Sequence, residues 1–346
     1  MHIISQIIDR NIHRLARCDR GLWINPGKDA GWCAAANSCA SLSLSCQEYG
    51  ALVFHRQAGA DVEFAAFPGE ETQTCSKQTY GWIILNLPRQ KALLRMLLDC
   101  AAGLLADDGV LWLVGEKRAG IKSADKILRG HFARVNKLDS ARHCTLYEAK
   151  SPLQYQSFSA ISYLKKWLLN YNGGEIKIAS YPGVFAHGQL DDGTALLLNS
   201  VAGMRFSGDL LDFGCGAGVI GACIATDNKD ARVTFLDHSA LALKACEDTL
   251  AANHLSGSVL ASDGLSEVNH CYDLVISNPP IHASVKTDNR LSLRLLEKVH
   301  EHIKPGGRLI LVANRHLPYE RWLSQNFRQL EELAANSNFK VIAAKK

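Results

Sequence analysis

Residues 277–282 read Ser-Asn-Pro-Pro-Ile-His and follow an apolar run that is typical of a buried strand. The Asn278 carboxamide oxygen and a neighbouring backbone carbonyl are hydrogen-bond acceptors, so together they can hold the two hydrogens of a planar exocyclic amine. The prolines restrict the backbone and keep one carbonyl in place. This pattern favours group transfer to an amine nitrogen by positioning and local dipoles, without a metal or a covalent intermediate. The candidate catalytic residues are Asn278, Pro279, Pro280 and Ile281.

A second candidate motif lies upstream. Residues 212–218 read Asp-Phe-Gly-Cys-Gly-Ala-Gly and connect a predicted strand to a predicted helix. Glycines let the backbone approach a ligand closely, and the following helix offers its free amide groups. Dinucleotide-binding enzymes share the Gly-x-Gly-x-Gly spacing, so the turn alone does not identify the ligand. The candidate cofactor-binding residues in this turn are Asp212, Gly214, Cys215, Gly216 and Gly218.

Acidic residues stand at the ends of three successive strand patterns: Asp212, Asp237 and Asp263. Asp212 can hydrogen-bond the turn and approach an ammonium group. Asp237 can accept from both hydroxyls of a ribose, and Asp263, which precedes Gly264, can accept from an adenine amino group. These groups occur together in S-adenosylmethionine, which we therefore favour over a dinucleotide. Asp237, Asp263, Gly264 and Asn278 complete the candidate cofactor site.

The elements that must position these residues alternate along the C-terminal half as strand and helix. Apolar strands that alternate with helices predict an α/β fold with a parallel, doubly wound sheet. In such a sheet the ligand binds beyond the carboxyl ends of the strands, where the strand order reverses. The predicted strands are 210–213, 232–237, 258–261, 274–277 and 308–312, and the predicted helices are 219–226, 239–253 and 287–303.

The N-terminal half repeats part of this pattern. Residues 80–88 resemble residues 272–280, because each is an apolar strand that ends in Asn-x-Pro. Downstream, residues 104–114 resemble residues 302–312, with a helix end, a Gly-containing turn and a buried strand. Two matches in the same order predict the duplication of one α/β unit. The predicted domains are residues 1–150 and 176–346, joined by a linker at 151–175 that contains a helix near 159–170.

The two halves differ in charge. Residues 1–175 contain 21 Lys and Arg against 16 Asp and Glu, a net charge of +5, whereas residues 176–346 contain 17 against 18, a net charge of −1. The densest basic stretch is 117–142, with a net charge of +6. A basic surface of this kind predicts binding to a polyanion, and RNA is the expected partner. The candidate RNA-binding residues there are Lys117, Arg118, Lys122, Lys126, Arg129 and Arg142.

Composition excludes other classes of protein. No apolar run approaches the roughly 18–20 residues that a membrane span needs, so no membrane partner is expected. The N-terminus lacks a basic patch followed by an apolar core, and we expect no secretory signal. The eleven cysteines are scattered without a Cys-x-x-Cys pair, which predicts free thiols in the cytoplasm and no zinc site.

These motifs carry a resemblance. The C-terminal half resembles the class I S-adenosylmethionine-dependent methyltransferases that modify amines with an Asn-Pro-Pro-aromatic motif. Nearly the whole chain resembles one bacterial family among them, the ribosomal RNA small subunit methyltransferase C family. The resemblance to that family rests on residues 114–124, 136–142, 181–185, 190–194, 212–218, 250–253, 276–280, 312–314 and 317–319.

The resemblance implies two tandem class I (Rossmann-like) methyltransferase domains. The first is degenerate, binds no cofactor and supports RNA binding and folding. The second transfers a methyl group from S-adenosylmethionine to N2 of a guanine (guanine 1207) of 16S rRNA in the assembled 30S subunit. Nothing in the sequence calls for an obligate protein partner, and we expect a monomer.

One position departs from the family pattern. The family has an aromatic residue after Asn-Pro-Pro, where its ring stacks on the target base, but this chain has Ile281. Loss of a stacking ring costs about 1–3 kcal/mol of base binding. Phe185 and His282 are the candidates to compensate, and both are assigned to the RNA site.

Two further hypotheses remain open. The same motif also serves enzymes that methylate a guanine of large-subunit rRNA, a DNA adenine or a glutamine amide. A protein that has lost activity through Ile281 would instead be an RNA-binding or ribosome assembly factor.

Overall fold

The computed structural model of the protein describes residues 2–69, 79–153, 158–279 and 298–346. The chain divides into two units, Met1–Tyr163 and Leu164–Lys346. This division falls inside the segment 151–175 that is predicted as a linker.

The N-terminal unit contains a seven-stranded sheet with the strand order β3-β2-β1-β4-β5-β7-β6. The five neighbouring strands β3, β2, β1, β4 and β5 are parallel, and β7 runs antiparallel to β5 and β6. The strands are β1 (Cys18–Ile24), β2 (Cys39–Cys46), β3 (Val62–Phe64), β4 (Tyr80–Asn86), β5 (Leu105–Glu116), β6 (Phe132–Ala141) and β7 (Cys144–Pro152). The helices are α1 (Ile3–Asn11), α2 (Trp32–Ala36), α3 (Tyr49–Gln57), α4 (Lys91–Leu104) and α5 (Ile121–Leu128).

The C-terminal unit contains a second seven-stranded sheet, with the order β12-β11-β10-β13-β14-β16-β15, and a two-stranded hairpin of β8 and β9. The strands are β8 (Lys165–Tyr171), β9 (Gly174–Ser180), β10 (Gly208–Phe213), β11 (Ala231–Asp237), β12 (Ser258–Ala261), β13 (Tyr272–Ser277), β14 (Ile303–Asn314), β15 (Gln329–Ala335) and β16 (Phe339–Lys345). The helices of its described residues are α6 (Asp192–Val201), α7 (Val219–Asp227), α8 (Ala240–Ala252) and α9 (Tyr319–Leu323).

The predicted α/β class is confirmed, and strands β12, β11, β10, β13 and β14 are parallel as predicted, whereas β16 runs antiparallel to β14 and β15. The central strands β10 and β13 are buried along most of their length, which is why they appear in the sequence as continuous apolar runs. The strand order reverses between β10, which pairs with β11 on one side, and β13 on the other. Ligands bind beyond the carboxyl ends of the strands at such a reversal. The predicted helix 287–303 lies mostly outside the described residues, and Val299–His302 forms a 3₁₀ turn.

The duplication predicted from the sequence is confirmed in the topology. Both sheets follow the same strand order, and corresponding strands share their pairing register. The β4–β5 ladder shifts register between Tyr80 and Trp82, and the β13–β14 ladder shifts at the corresponding place, between Tyr272 and Leu274. A shared irregularity of pairing at one place is what two copies of a single unit would retain.

The helix predicted near residues 159–170 is wrong. Ala160–Tyr163 forms a short 3₁₀ turn, and residues 165–171 form strand β8, which pairs antiparallel with β9. The hairpin turn explains the difference, because Asn172 and Gly173 have φ values of 48° and 78°. An Asn-Gly pair with two positive φ angles is the preferred two-residue hairpin connection, and it selects paired strands on both sides.

Gly221 in α7 is tightly packed, and its replacement tests how much added volume this part of the C-terminal unit tolerates. A Cβ atom on Gly221 would lie 2.3 Å from Phe235 Cε1 and 2.9 Å from Asp212 Oδ2. We expect Gly221→Ala to lower the free energy of unfolding by about 1–3 kcal/mol, because neither neighbour is at the end of a flexible side chain. Urea unfolding followed by circular dichroism measures the change. Gly174→Ala is the control, since its Cβ would meet its nearest atom at 3.6 Å; equal losses in the two variants would contradict the interpretation.

Candidate active site

The glycine-rich turn follows β10 and is built from left-handed backbone. Gly214, Gly216 and Gly218 have φ values of 70°, 54° and 75°, a region that other residues rarely adopt. A Cβ atom on Gly214 or Gly216 would meet no atom within 4 Å, so the turn borders open space. A Cβ atom on Gly218 would lie 2.7 Å from Cys246 Sγ, so this glycine also permits close packing against α8. The backbone of residues 214–217 is therefore accessible to a ligand.

Asp237 holds this turn in place from the end of β11. Its Oδ2 accepts from Gly216 N at 2.9 Å, and its Oδ1 accepts from Ser239 N at 2.9 Å. Burial acts to raise the pKa of Asp237, but the His238 side chain and the two backbone donors outweigh it and hold the pKa below its usual range. The carboxylate assigned to a ribose thus also fixes the shape of the turn.

Asp212 lies at the end of β10 and caps the following helix. Its Oδ2 accepts from Gly221 N at 2.9 Å, so its bond goes to the first turn of α7 and not to the glycine-rich turn. Gly218 precedes α7 and has no side chain to cap it, and a carboxylate beside the helix start meets that need. Burial raises the pKa of Asp212 to about 7. Its Oδ1 is buried and has no hydrogen-bond partner among the described residues.

Asp263 and Gly264 follow β12 at the same edge of the sheet. Ser262 donates its backbone N–H to Asp237 O at 3.1 Å, which continues the edge from β11 to β12. Asp263 is exposed and Gly264 has a φ of 68°. The three acids predicted at successive strand ends therefore stand in order along one edge.

Asn278 follows β13, which pairs with β10 through Asp212 and Ile276. Its Nδ2 donates to Asp191 Oδ2 and to Thr194 Oγ1, each at 2.9 Å. Beside it, Ser277 Oγ donates to Phe213 O at 2.7 Å and ties the end of β13 to the end of β10. The Asn278 carboxamide is consequently held next to the glycine-rich turn.

Asn278 and the turn line one pocket. Other walls come from the hairpin strands β8 and β9 and from the segment before α6, where Phe185 is the one residue that the sequence assigned to the site. Phe185 lines it with 55% of its side chain exposed, which leaves an apolar ring available at the pocket wall. The lining residues are Trp167, Ile178, Ser180, Phe185, Ala186, Gln189, Leu190, Asp191, Thr194, residues 214–217, Val219, Ile220 and Asn278.

Some predicted residues cannot be placed. Pro280, Ile281 and His282 lie outside the described residues, whereas Pro279 is described and buried. Asp191 and Thr194 lie in segment 190–194, which contributes to the family resemblance, but the sequence predicts no site role for them. Their Asp-x-x-Thr spacing indicates only the start of a helix. The contact of Asp191 with Asn278 joins residues 87 positions apart, so no local pattern predicts it.

The corresponding positions of the N-terminal unit carry other side chains. Trp23 pairs with Ile84 as Asp212 pairs with Ile276, so a buried indole stands where the C-terminal unit has the carboxylate. Trp23 Nε1 donates to Asn86 Oδ1 at 2.9 Å, and Asn86 corresponds to Asn278. By the same register Cys46 stands where the C-terminal unit has Asp237.

The six basic residues predicted to bind RNA in the N-terminal unit are exposed and lie around α5 and the β6–β7 turn. Two of them form ion pairs with neighbouring acids, Arg118 with Glu116 at 2.6 Å and Arg129 with Asp125 at 3.1 Å. Arg142 donates to Gln6. Lys117, Lys122 and Lys126 form no ion pair with a described residue.

Three negative findings apply to the described part of the chain. None of its helices has the length and apolar character to cross a membrane. No group of three or more His, Cys, Asp or Glu side chains is arranged to hold a metal ion. Every cysteine there is a free thiol.

Comparisons with known proteins cover almost the entire chain. Residues 175–343 match the family model Methyltransferase small domain, and residues 5–170 match Methyltransferase small domain N-terminal. Ribosomal RNA small subunit methyltransferase C of Shewanella loihica is 35% identical over 99% of this chain and 98% of its own length. The protein of that name from Pseudomonas aeruginosa is 39% identical over 82% of this chain and 85% of its own.

A solved structure shares the fold. It is the T. thermophilus 16S rRNA methyltransferase that acts on N2 of guanine 1207, in complex with AdoMet and guanosine. It is 21% identical to this chain, with a TM-score of 0.85, and the match covers 100% of this chain and 92% of that one.

The tandem sheets and the site at the β10–β13 reversal define a Rossmann-like methyltransferase. The relatives that match along its length identify the particular family: the chain belongs to the ribosomal RNA small subunit methyltransferase C family. The resemblance stated from the sequence motifs is confirmed.

Asp212 predicts a dependence of stability on pH. The folded chain keeps the Asp212 proton up to about pH 7, whereas an unfolded chain releases it near pH 4. Raising the pH between these values therefore lowers the free energy of unfolding, by up to about 1.4 kcal/mol per unit, and above pH 7 this contribution is constant. In Asp212→Asn the side chain is neutral at every pH, so that part of the slope should disappear.

Thermal unfolding of the wild type and the variant between pH 4.5 and 8 measures the effect. Asp192→Asn, at an exposed carboxylate of the C-terminal unit, is the control. Parallel pH curves for the wild type and Asp212→Asn would show that burial does not hold the proton.

Proposed function

We propose that this protein transfers a methyl group from S-adenosylmethionine to N2 of guanine 1207 of 16S rRNA in the assembled 30S subunit. The observation that carries the proposal is that the glycine-rich turn 214–217 and the Asn278 carboxamide line one pocket. Membership of the family and the names of its members support the choice of small-subunit rRNA. The solved structure with the same fold, which contains AdoMet and guanosine, supports the choice of cofactor and base.

The residues present fit the cofactor. Asp212 Oδ1 is a buried acceptor without a described partner, and a positively charged ammonium is the group that would satisfy it. The open space over Gly214 and Gly216 leaves room for a ligand against the backbone. Asp237, Asp263 and Gly264 are the residues that would hold the ribose and adenine, and Gly218 and Cys215 complete the turn. The cofactor supplies a methyl group activated on a sulfonium.

The protein acts on the amine by holding it. Asn278 Oδ1 and the backbone carbonyl next to the prolines accept the two N2 hydrogens of guanine, which turns the nitrogen lone pair toward the methyl donor. The dipoles of these two fixed acceptor oxygens stabilise the positive charge that develops on the nitrogen. The methylated amine is strongly acidic, so its extra proton leaves to water and needs no dedicated base.

The target base must leave its helix to reach the pocket. Phe185 offers an exposed ring at the pocket wall and is the described residue that could cover the guanine. We assign the same role to Ile281 and leave His282 to contact RNA. The basic face of the N-terminal unit, with Lys117, Lys122 and Lys126, would bind phosphates of the subunit. We propose that the protein works as a cytoplasmic monomer.

Replacement of Asn278 tests the reaction. We expect Asn278→Ala to slow methyl transfer to 30S subunits by about 10²–10³-fold, because one preorganised acceptor is lost, and to leave S-adenosylmethionine affinity within a few-fold. Transfer of labelled methyl groups to 30S, 50S and naked 16S rRNA gives the rate and the substrate, and calorimetry gives the affinity. Asn269→Ala at an exposed asparagine is the control. Full activity of Asn278→Ala, or labelling of 50S instead of 30S, would refute the proposal.

Replacement of the unpaired lysines tests the RNA surface. We expect the triple variant Lys117→Ala, Lys122→Ala, Lys126→Ala to bind 30S subunits more weakly and to lower the slope of log affinity against log salt by about 2, at roughly 0.7 per lost phosphate contact. The control replaces three exposed lysines of the C-terminal unit, Lys166, Lys177 and Lys229. Filter binding between 50 and 200 mM salt measures the affinity for 30S subunits and its salt slope in each variant and in the wild type. Equal slopes for the first triple variant and the wild type would exclude this face from RNA binding.

A further inference from the structure

Three side chains meet at the wall of the pocket, and each makes a bond to both others. Asn278 Nδ2 donates to Asp191 Oδ2 and to Thr194 Oγ1, each at 2.9 Å. Thr194 Oγ1 donates in turn to Asp191 Oδ2 at 3.4 Å. Asp191 also caps α6, because the same Oδ2 accepts from Thr194 N at 2.9 Å. Thr194 is buried, and Asp191 and Asn278 are half-buried, so water competes weakly for these bonds.

This triangle permits only one orientation of the Asn278 carboxamide. A carboxylate has acceptors alone, so the Asn278 atom that faces Asp191 must be the nitrogen. The Thr194 hydroxyl has already directed its hydrogen to Asp191 and offers Asn278 a lone pair. If the carboxamide turned over, its oxygen would face the Asp191 carboxylate, and the single hydrogen of the Thr194 hydroxyl could satisfy only one of these two acceptors. Leaving buried acceptors unpaired is costly, so the turned state is suppressed.

We propose that Asp191 and Thr194 are positioning residues that fix the Asn278 carboxamide with its oxygen toward the substrate amine. The inference rests on the proposed function. Its consequence concerns specificity, because an oxygen at this place accepts from a base that carries an exocyclic amine and opposes one that carries a carbonyl there. With the carboxamide free to turn, the nitrogen would face the guanine amine in part of the molecules, and two donors would oppose each other.

The variants must separate this role from the cap of α6. Asp191→Ser keeps an oxygen that can cap the helix, since Ser and Asp are comparable caps, but it removes the carboxylate from Asn278. Thr194→Val removes the hydroxyl at nearly constant volume, and Thr194→Ser restores it. Asp192→Ser changes the neighbouring carboxylate, which is exposed in the first turn of α6, and is the matched control.

Single-turnover methyl transfer to saturating 30S subunits gives the first readout. We expect about a 10²-fold slower rate for Asp191→Ser and about a 10-fold slower rate for Thr194→Val, because a misplaced reacting group costs this much. KM and cofactor affinity should stay within twofold, and Thr194→Ser and Asp192→Ser should match the wild type. In an Asn278→Ala background Asp191→Ser should cause no further loss, since residues that act through one another are not additive. Wild-type rates for Asp191→Ser and Thr194→Val, or full additivity with Asn278→Ala, would overturn the assignment.

A second readout does not depend on activity. In protein labelled with ¹⁵N-asparagine, the Asn278 side-chain NH₂ signals are identified by their loss in Asn278→Ala. Asp191→Ser and Thr194→Val should shift these signals and speed their exchange with solvent, while Asp192→Ser should leave them in place. Unchanged signals in the first two variants would refute the positioning role even in a protein that methylates nothing. A wild type without methyl transfer to any guanine substrate would instead refute the proposed function.

Discussion

The parallel pairing of β10 with β13 is the constraint on which the site depends. It aligns Asp212 with Ile276 and so brings two segments that are 60 or more residues apart to the same edge of the sheet. The bond from Ser277 Oγ to Phe213 O, at 2.7 Å, fixes the ends of the two strands against each other. One strand then continues into the glycine-rich turn and the other into Asn278. A one-residue slip of β13 against β10 would turn its side chains to the opposite face of the sheet and move Asn278 away from the glycine-rich turn.

The two buried acids beside the glycine-rich turn hold the backbone around it. The same two residues that are proposed to bind the cofactor therefore also shape its site. Asp237 holds Gly216 N, and Asp212 holds Gly221 N at the start of α7. Both carboxylates are buried, yet burial raises the pKa of Asp212 to about 7 whereas the three donors around Asp237 keep its pKa low. The difference follows from the number of donors, since one backbone N–H does not compensate for the desolvation of a carboxylate. Of these two buried acids, one therefore stays charged and the other can change its charge near neutral pH.

Much of the fold could be predicted because its signals are local. The central strands β10 and β13 are buried along most of their length and appear as apolar runs, and the glycines of residues 214–218 mark the turn. The hairpin of β8 and β9 is not predicted, because β8 alternates poorly between exposed and buried residues. Its one clear signal, Asn172-Gly173, lies inside the segment that is predicted as a linker. The contacts of Asn278 with Asp191 and Thr194 could not be predicted at all, since they join residues 87 and 84 positions apart whose local pattern specifies only a helix cap.

The two units show how one asparagine at one strand end can serve opposite purposes. In the N-terminal unit Asn86 Oδ1 accepts from Trp23 Nε1, so the acceptor is occupied by the protein, and the indole fills the place that Asp212 has in the other sheet. In the C-terminal unit the nitrogen of Asn278 is held instead, by Asp191 and Thr194. The strand order and register of both sheets are the same, so the difference lies in which end of the carboxamide the neighbouring side chains hold. The two asparagines thus occupy one position of the shared fold, and the partners around them leave opposite ends of the carboxamide held.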